Sequence, residues 1–573
     1  MIVRSLIISL LFACSVLPLR ANDQKPFPKA DFIPPFAGEI EIIGTFCELR
    51  PNHFHGGLDI RTGGKIGRHV LSIGDGYISR INISNAGYGK ALYITHPNGY
   101  TSVYAHLHDF PEKIKWYIRK NQYLLQQYEV ELYPEADLLS VKKGEMVAWS
   151  GNTGSSQGPH LHFEIRETKS EAPVNPLLFG IRMKDHMAPA ILNLYLYKRD
   201  TLEKLHNGHY PSVSLPLYST HTVKKGKKKV KVNSPILRHT LAYGRYALGA
   251  NLKDYATSGG DNNGVNYIKI YRNGELFYDC RIERFLFAQM RMHNNYIDYR
   301  RQKQSGIKMH KLFKDDGSTL AFWEHSPSDG WFEVTDSTVQ EFRIVVSDVY
   351  GHSSEKRILI SGSPQGRQVS DYIVHARQVW NCYANRDNLI AVAPEFKVLL
   401  GKNTLYSDYR VAYQKNFGHN YTIGNTLVPL DKGMELHFRM NPEQMKYAEK
   451  FTVFSGDGRT YGGVLKDKNW LVATVREFGN YYIVLDTVKP NIRVNTFNRN
   501  GYFSFTVSDA VSGIKDHDFY INGEWVLLEF DSKTGLISGK IPNPLAPGKH
   551  SLQLIVRDKR LNERQFNKTI SIP

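Results

Sequence analysis

The sequence predicts a mainly β chain: an antiparallel β domain with one helical insertion, followed by tandem sandwich-like β domains. Three observations carry this reading. Short runs rich in Val, Ile and Tyr recur along the chain, cut by Gly, Asn and Pro. Ala91–His96 and Tyr100–His106 flank a Pro97-Asn98-Gly99 turn, a hairpin pattern. Three segments then recur in the same order: Ala247–Asp254 parallels Tyr502–Asp509, Ile268–Glu275 parallels Asp518–Glu524, and Phe342–Asp348 parallels Leu552–Asp558.

The chain has 573 residues, enough for about four domains. It is 41% hydrophobic, 22% charged and 12% aromatic, which excludes a disordered polymer. The first 21 residues read as a secretory signal, with Arg4 before an apolar run, Ser5–Leu19, and a small-residue cleavage site at Ala21. That run is too short to span a bilayer comfortably, and no other stretch qualifies. Leu11-Phe12-Ala13-Cys14 also resembles a lipoprotein processing site, but the residues after Cys14 stay apolar, which favours ordinary cleavage. The mature protein is expected in the periplasm or cell envelope, with no transmembrane segment.

Residues 36–182 form the first β domain. Val70–Ile83, with Gly74 and Gly76, reads as a strand pair. The helical insertion is expected to start at Asp109 as N-cap, with Glu112 three residues on. Ile114, Tyr117, Ile118, Leu124, Leu125 and Tyr128 fall on its apolar face. The repeated segments define two copies of one unit, at 188–362 and 488–573, which resemble bacterial immunoglobulin-like domains. The first copy carries an insertion around 286–330. Residues 363–487 are β-rich without an assignable class.

Several features read as structural. After signal removal Cys47, Cys280 and Cys382 remain, too few and too scattered for a disulfide framework. Asp254, Asp348, Asp509 and Asp558 read as turn caps rather than calcium ligands. The basic run Lys224–Lys231 reads as a solvated loop or hairpin. The net charge of +18 and pI near 9.4 suit an acidic partner such as cell-wall polymer, and export argues against nucleic acid.

Three segments of the first domain carry chemistry: His55-Gly56-Gly57-Leu58-Asp59, Tyr104-Ala105-His106-Leu107, and Gly158-Pro159-His160-Leu161-His162-Phe163-Glu164. On a strand, His160 and His162 share a face while Leu161 and Phe163 enter the core. The two glycines let His55 and Asp59 converge. Three ligands of type His, Asp and His leave a fourth zinc position open, as in catalytic sites.

With these motifs in order, the domain resembles the lysostaphin and LytM-type zinc endopeptidases that remodel peptidoglycan. The resemblance implies an antiparallel β-barrel-like core with the site in a groove. It makes His55, Asp59 and His162 the ligands of one zinc, and His106 and His160 the catalytic histidines. Glu164 is expected to support by hydrogen bonding, and His53, His96 and His108 to stay outside the ligand set. The implied activity is hydrolysis of peptidoglycan peptide cross-links. The competing reading is a non-catalytic peptidoglycan-binding or amidase-activating envelope protein, whose ligands would be missing; here all five positions are filled. The helix after His106 is expected to wall the substrate groove. Residues 22–186 are expected to be active alone, with the C-terminal β domains docking an envelope partner.

Overall fold

The computed structural model describes residues 27–573 except 184, 217–218, 226–227, 235, 256–261, 372–377, 499 and 542–543. The signal segment and Cys14 lie outside the described residues, as does the centre of the basic run. The fold is mainly β, as expected. Among the described residues no helix is long and apolar enough to cross a membrane.

In the first domain the strands are β1 (Ile42–Gly44), β2 (Leu49–Arg50), β3 (His53–Phe54), β4 (Leu58–Arg61), β5 (His69–Leu71), β6 (Gly76–Ile83), β7 (Lys90–Thr95), β8 (Tyr100–Ala105) and β9 (Leu107–Asp109). Helix α1 (Glu112–Leu125) follows, then β10 (Val130–Leu132), β11 (Ser140–Val141), β12 (Met146–Ser150), β13 (His160–Glu167) and β14 (Pro173–Val174). The main sheet runs β1-β4-β13-β8-β7-β6-β10, with β11 on β6 and β14 on β13; a smaller sheet runs β5-β12-β9. The core fills from alternate positions: Leu58 and Ile60 of β4 and Leu161 and Phe163 of β13 are fully buried in it.

The hairpin at Pro97–Gly99 forms as expected, with Gly99 at φ +86°. Two expectations fail. β5 and β6 are not a pair, because β5 joins β12 in the smaller sheet. The helix does not start at Asp109: that residue stays in β9, opposite Trp149, and Pro111 is the N-cap. Asp109 instead pairs with Lys115 at 2.5 Å. Only the first part of the apolar stripe, Ile114 and Ile118, is buried, whereas Leu124 is 77% exposed.

The two repeat copies share the core of one sheet, although the first has two six-stranded sheets and the second two four-stranded ones. In each, a strand between its neighbours pairs on both sides: Tyr267–Arg272 lies between Glu275–Arg281 and Gln340–Ser347, and Ile514–Ile521 between Glu524–Trp525 and Gly548–Asp558. The next strand is Ser353–Gly362 or Glu563–Ile572; the second ends its row, whereas the first carries Ile236–Leu241 in parallel beyond it. The turns match too: the Oδ1 atoms of Asp348 and Asp558 each accept two backbone N–H bonds, from Tyr350 and His352 and from Arg560 and Asn562. Between the copies, two five-stranded sheets enclose a separate core.

One part of the first domain leaves its own core. Phe46, Cys47, Leu49 and Phe54, on and beside the β2–β3 hairpin, belong to the core of the first sandwich copy, together with Cys280, Phe285, Tyr296 and Phe322.

Candidate metal centre

β4 and β13 run antiparallel with Asp59 directly opposite His162, so the carboxylate and the imidazole stand side by side on one sheet face. β8 flanks β13 on the other edge, with Ala105 opposite His162, and His106 follows as the strand ends. His106 adopts φ +58°, a left-handed conformation costly for a non-glycine residue, which turns its ring toward the same face. His55 arrives through Gly56-Gly57. A Cβ on Gly57 would sit 2.2 Å from the Phe163 carbonyl oxygen, so only glycine lets this segment lie against β13.

Three donor atoms converge. His55 Nε2 lies 3.1 Å from Asp59 Oδ1 and 3.0 Å from His162 Nδ1, and His162 Nδ1 lies 2.9 Å from Asp59 Oδ1. Tetrahedral zinc with ligands near 2.0–2.1 Å separates its donors by about 3.3 Å, so the triangle fits. Protonation supports the same conclusion. His55 Nδ1 donates to the Thr45 carbonyl at 2.8 Å, and His162 Nε2 donates to Glu164 Oε1 at 2.8 Å. With those outer nitrogens engaged, His55 Nε2 and His162 Nδ1 are the ring atoms that face each other and Asp59 Oδ1. His55, Asp59 and His162 can hold a metal ion. All three are at most 6% exposed.

The surroundings hold these donors in place. Burial opposes the charge on Asp59, but the three histidines outweigh it and keep its carboxyl well below the usual range. Arg50 binds Asp59 Oδ2 at 2.5 Å, leaving Oδ1 to face the histidines. Glu164, fully buried, accepts from Arg166 Nε at 2.6 Å and from the Tyr88 hydroxyl, and the Tyr88 ring stacks on His162 at 5.2 Å. Burial alone would lower His162, but its hydrogen bonds to Asp59 and Glu164 prevail and push it up to about 9 in the metal-free chain.

His106 and His160 flank the triangle, their rings 4.8 Å apart, with His106 5.9 Å from the His162 ring. His106 Nδ1 donates to the Thr153 carbonyl at 2.9 Å. Burial, then the charges of His162 and His160, drive His106 down to about 3, so it is neutral. His160 Nδ1 faces the Gly158 carbonyl at 2.8 Å, and its Nε2 lies 3.4 Å from Asp59 Oδ1.

All five residues expected from the sequence thus meet at one place. His53 turns away, bonding the Pro51 carbonyl at 2.8 Å. His96 bonds Asp75 O and Ser102 Oγ, both at 2.8 Å, within the fold. Arg50, Tyr88 and Arg166 escape sequence reasoning. The alternation of His160, His162, Glu164 and Arg166 along β13 was the available signal for Arg166, whereas nothing local marks Arg50. The helix does not wall the site: Tyr123 meets Trp525 of the C-terminal copy at 5.4 Å, and α1 and that copy together line a cavity of about 220 Å³.

A β domain presenting His, Asp and His donors with two further histidines defines the class, a metallopeptidase domain. Residues 53–126 and 137–176 match Peptidase family M23. Residues 381–486 match the Zu5-like domain, within the stretch the sequence left unclassified. A DD-carboxypeptidase/endopeptidase Mpg from Neisseria meningitidis is 32% identical over 19% of this chain and 20% of its own. The peptidoglycan DD-endopeptidase ShyA of Vibrio cholerae is 28% identical over 26% of this chain and 29% of its own. The chain thus spans less than a third of the length of either relative. The catalytic domain of lysostaphin from Staphylococcus simulans is 24% identical over 24% of this chain and 91% of that domain, with a TM-score of 0.19.

Proposed function

We propose that the protein is an exported zinc metallo-endopeptidase that hydrolyses peptide cross-links of bacterial peptidoglycan. The observation that carries this reading is the convergence of His55 Nε2, Asp59 Oδ1 and His162 Nδ1 within 3.1 Å of one another. The names of the two curated relatives support the substrate class. Zinc, when bound, supplies a Lewis acid and brings the acidity of water to near neutral pH.

The chain's own residues do the rest. Arg50 holds Asp59 Oδ2, so that Oδ1 stays turned toward the histidines. Glu164, locked by Arg166 and Tyr88, fixes the His162 tautomer, so that Nδ1 keeps its lone pair. His106, neutral and oriented by Thr153, leaves Nε2 free to accept a proton at the site. His160, its side chain 14% exposed at the edge, can donate to the oxygen that gains charge as the peptide carbonyl becomes tetrahedral. The C-terminal β domains position the enzyme in the envelope or bind a protein partner there.

Purified peptidoglycan digested with the mature protein should yield new peptide termini, read by mass spectrometry, that vanish when a chelator is added. Cleavage that persists without metal removes the reading. His162→Ala should lose zinc and turnover together. His160→Ala should keep most of its zinc while turnover falls roughly 10²–10⁴-fold; stoichiometric loss of zinc would make His160 a ligand instead.

A further inference from the structure

The C-terminal sandwich holds a second cluster of donors. Asp486 enters the domain from the preceding β region, Asp509 ends the strand Tyr502–Ser508, and Asp558 ends Gly548–Asp558. One carboxylate oxygen from each lies within 4.8 Å of the others. Asp486 is completely buried, and its Oδ2 has no hydrogen-bond partner. Asp509 Oδ1 is also buried without a partner. Among the described residues, no lysine or arginine forms an ion pair with any of the three. Arg560 is near, but its guanidinium is taken by the Phe451 and Gly463 carbonyls, both at 3.1 Å.

The first copy shows how the same geometry is neutralised differently. Asp185 and Asp348 stand in the matching places: Asp185 Oδ1 accepts from Met187 N as Asp486 Oδ1 does from Val488 N, both at 3.1 Å. There His352 places an imidazole on Asp348 Oδ2 at 2.7 Å, where the second copy has only the neutral Asn562. Burial, then Asp185 and Asp348, push Asp254 up to about 7, so a proton relieves the repulsion. Neither Asp185, Asp254 nor Asp348 has a buried oxygen left without a partner.

We propose that Asp486, Asp509 and Asp558 bind one calcium ion that ties the segment entering the C-terminal sandwich to the loops at that end of it. Oxygen-only donors select a hard cation over zinc or copper. Three anionic donors in irregular loop geometry suit calcium, which accepts variable coordination, better than magnesium, which demands a near-ideal octahedron.

Calorimetric titration of the zinc-loaded, full-length mature protein with calcium chloride, in metal-stripped buffer, should reveal one saturable site. Asp486→Asn and Asp509→Asn should each weaken it at least tenfold, with zinc content unchanged, while Asp348→Asn in the first copy should leave it intact. Circular dichroism checks that each variant is folded; if Asp509→Asn unfolds, the isosteric Asp486→Asn decides. No saturable binding in the parent protein, undiminished binding in the folded variants, or displacement by an equal concentration of magnesium overturns the proposal.

Discussion

The two sandwich copies share a fold and differ in how they meet the peptidase domain. The first copy carries the insertion around 286–330 and takes the β2–β3 hairpin into its own core. Phe54, immediately before His55, lies 5.4–5.8 Å from the rings of Phe285, His293, Tyr296 and Phe322. Gly264 N donates to Thr45 Oγ1 at 2.8 Å, and the Thr45 carbonyl accepts from His55 Nδ1. The second copy has no such insertion and touches the site's rim through polar groups. Glu529 pairs with Lys90 at 2.8 Å, and Lys533 reaches the Asn152 carbonyl and, at 3.2 Å, that of Ser156. An inserted element that buries aromatic side chains makes one copy a packing support for the segment that leads to His55, whereas hydrogen bonds at the rim leave the other a neighbour.

The largest expected effect comes from removing the first copy. The fragment 22–186 would expose Phe46, Leu49 and Phe54, so we expect it to bind zinc poorly and to lose at least about 10²-fold in turnover, as misplaced catalytic groups do. This reverses the expectation drawn from sequence. Near-normal muropeptide cleavage by the fragment would break the comparison.

Phe54→Ala should be next. A fully buried aromatic replaced by alanine costs roughly 3–5 kcal/mol. Denaturant unfolding should register the loss, and elemental analysis should show reduced zinc, because His55 follows directly. Loss of stability with full zinc retention would separate the wedge from the ligand.

Acid should loosen the same wedge. Burial holds both His293 and His310 near 3, below the ordinary 6.5. Their folded pKa is depressed, so the stability they contribute is complete above 6.5 and lost as pH falls toward 3. Each adds up to about 1.4 kcal/mol per pH unit across that window. Thermal midpoints measured from pH 7 to pH 4 should fall, and His310→Gln should flatten the decline. An unchanged slope in that variant would assign the acid sensitivity elsewhere.

The smallest effect is expected at the second copy. Lys533→Ala removes an exposed contact of the kind worth roughly 0–1 kcal/mol, so turnover should change less than about fivefold. A change beyond tenfold would make the second copy as integral to the site as the first.

Much of the metal centre was legible in the chain. Alternation on one strand places His160 and His162 on one face, and the Gly-Gly step before Leu58-Asp59 announces a close backbone approach. The internal repeat likewise marked matching strands and turn aspartates in two places, because apolar periodicity and turn caps are local properties. Register and docking were not legible. Asp59 faces His162 only because β4 and β13 pair at that offset, and Arg50 reaches Asp59 only because the β2–β3 hairpin folds back beside it. The helix starts two residues later than the sequence predicts, because Asp109 is a good cap in isolation but a better strand partner for Trp149. Local patterns state which face of an element is apolar. What that face packs against is settled by the burial of distant surfaces, and so the destination of Phe54, in the core of another domain, was a decision of the tertiary structure alone.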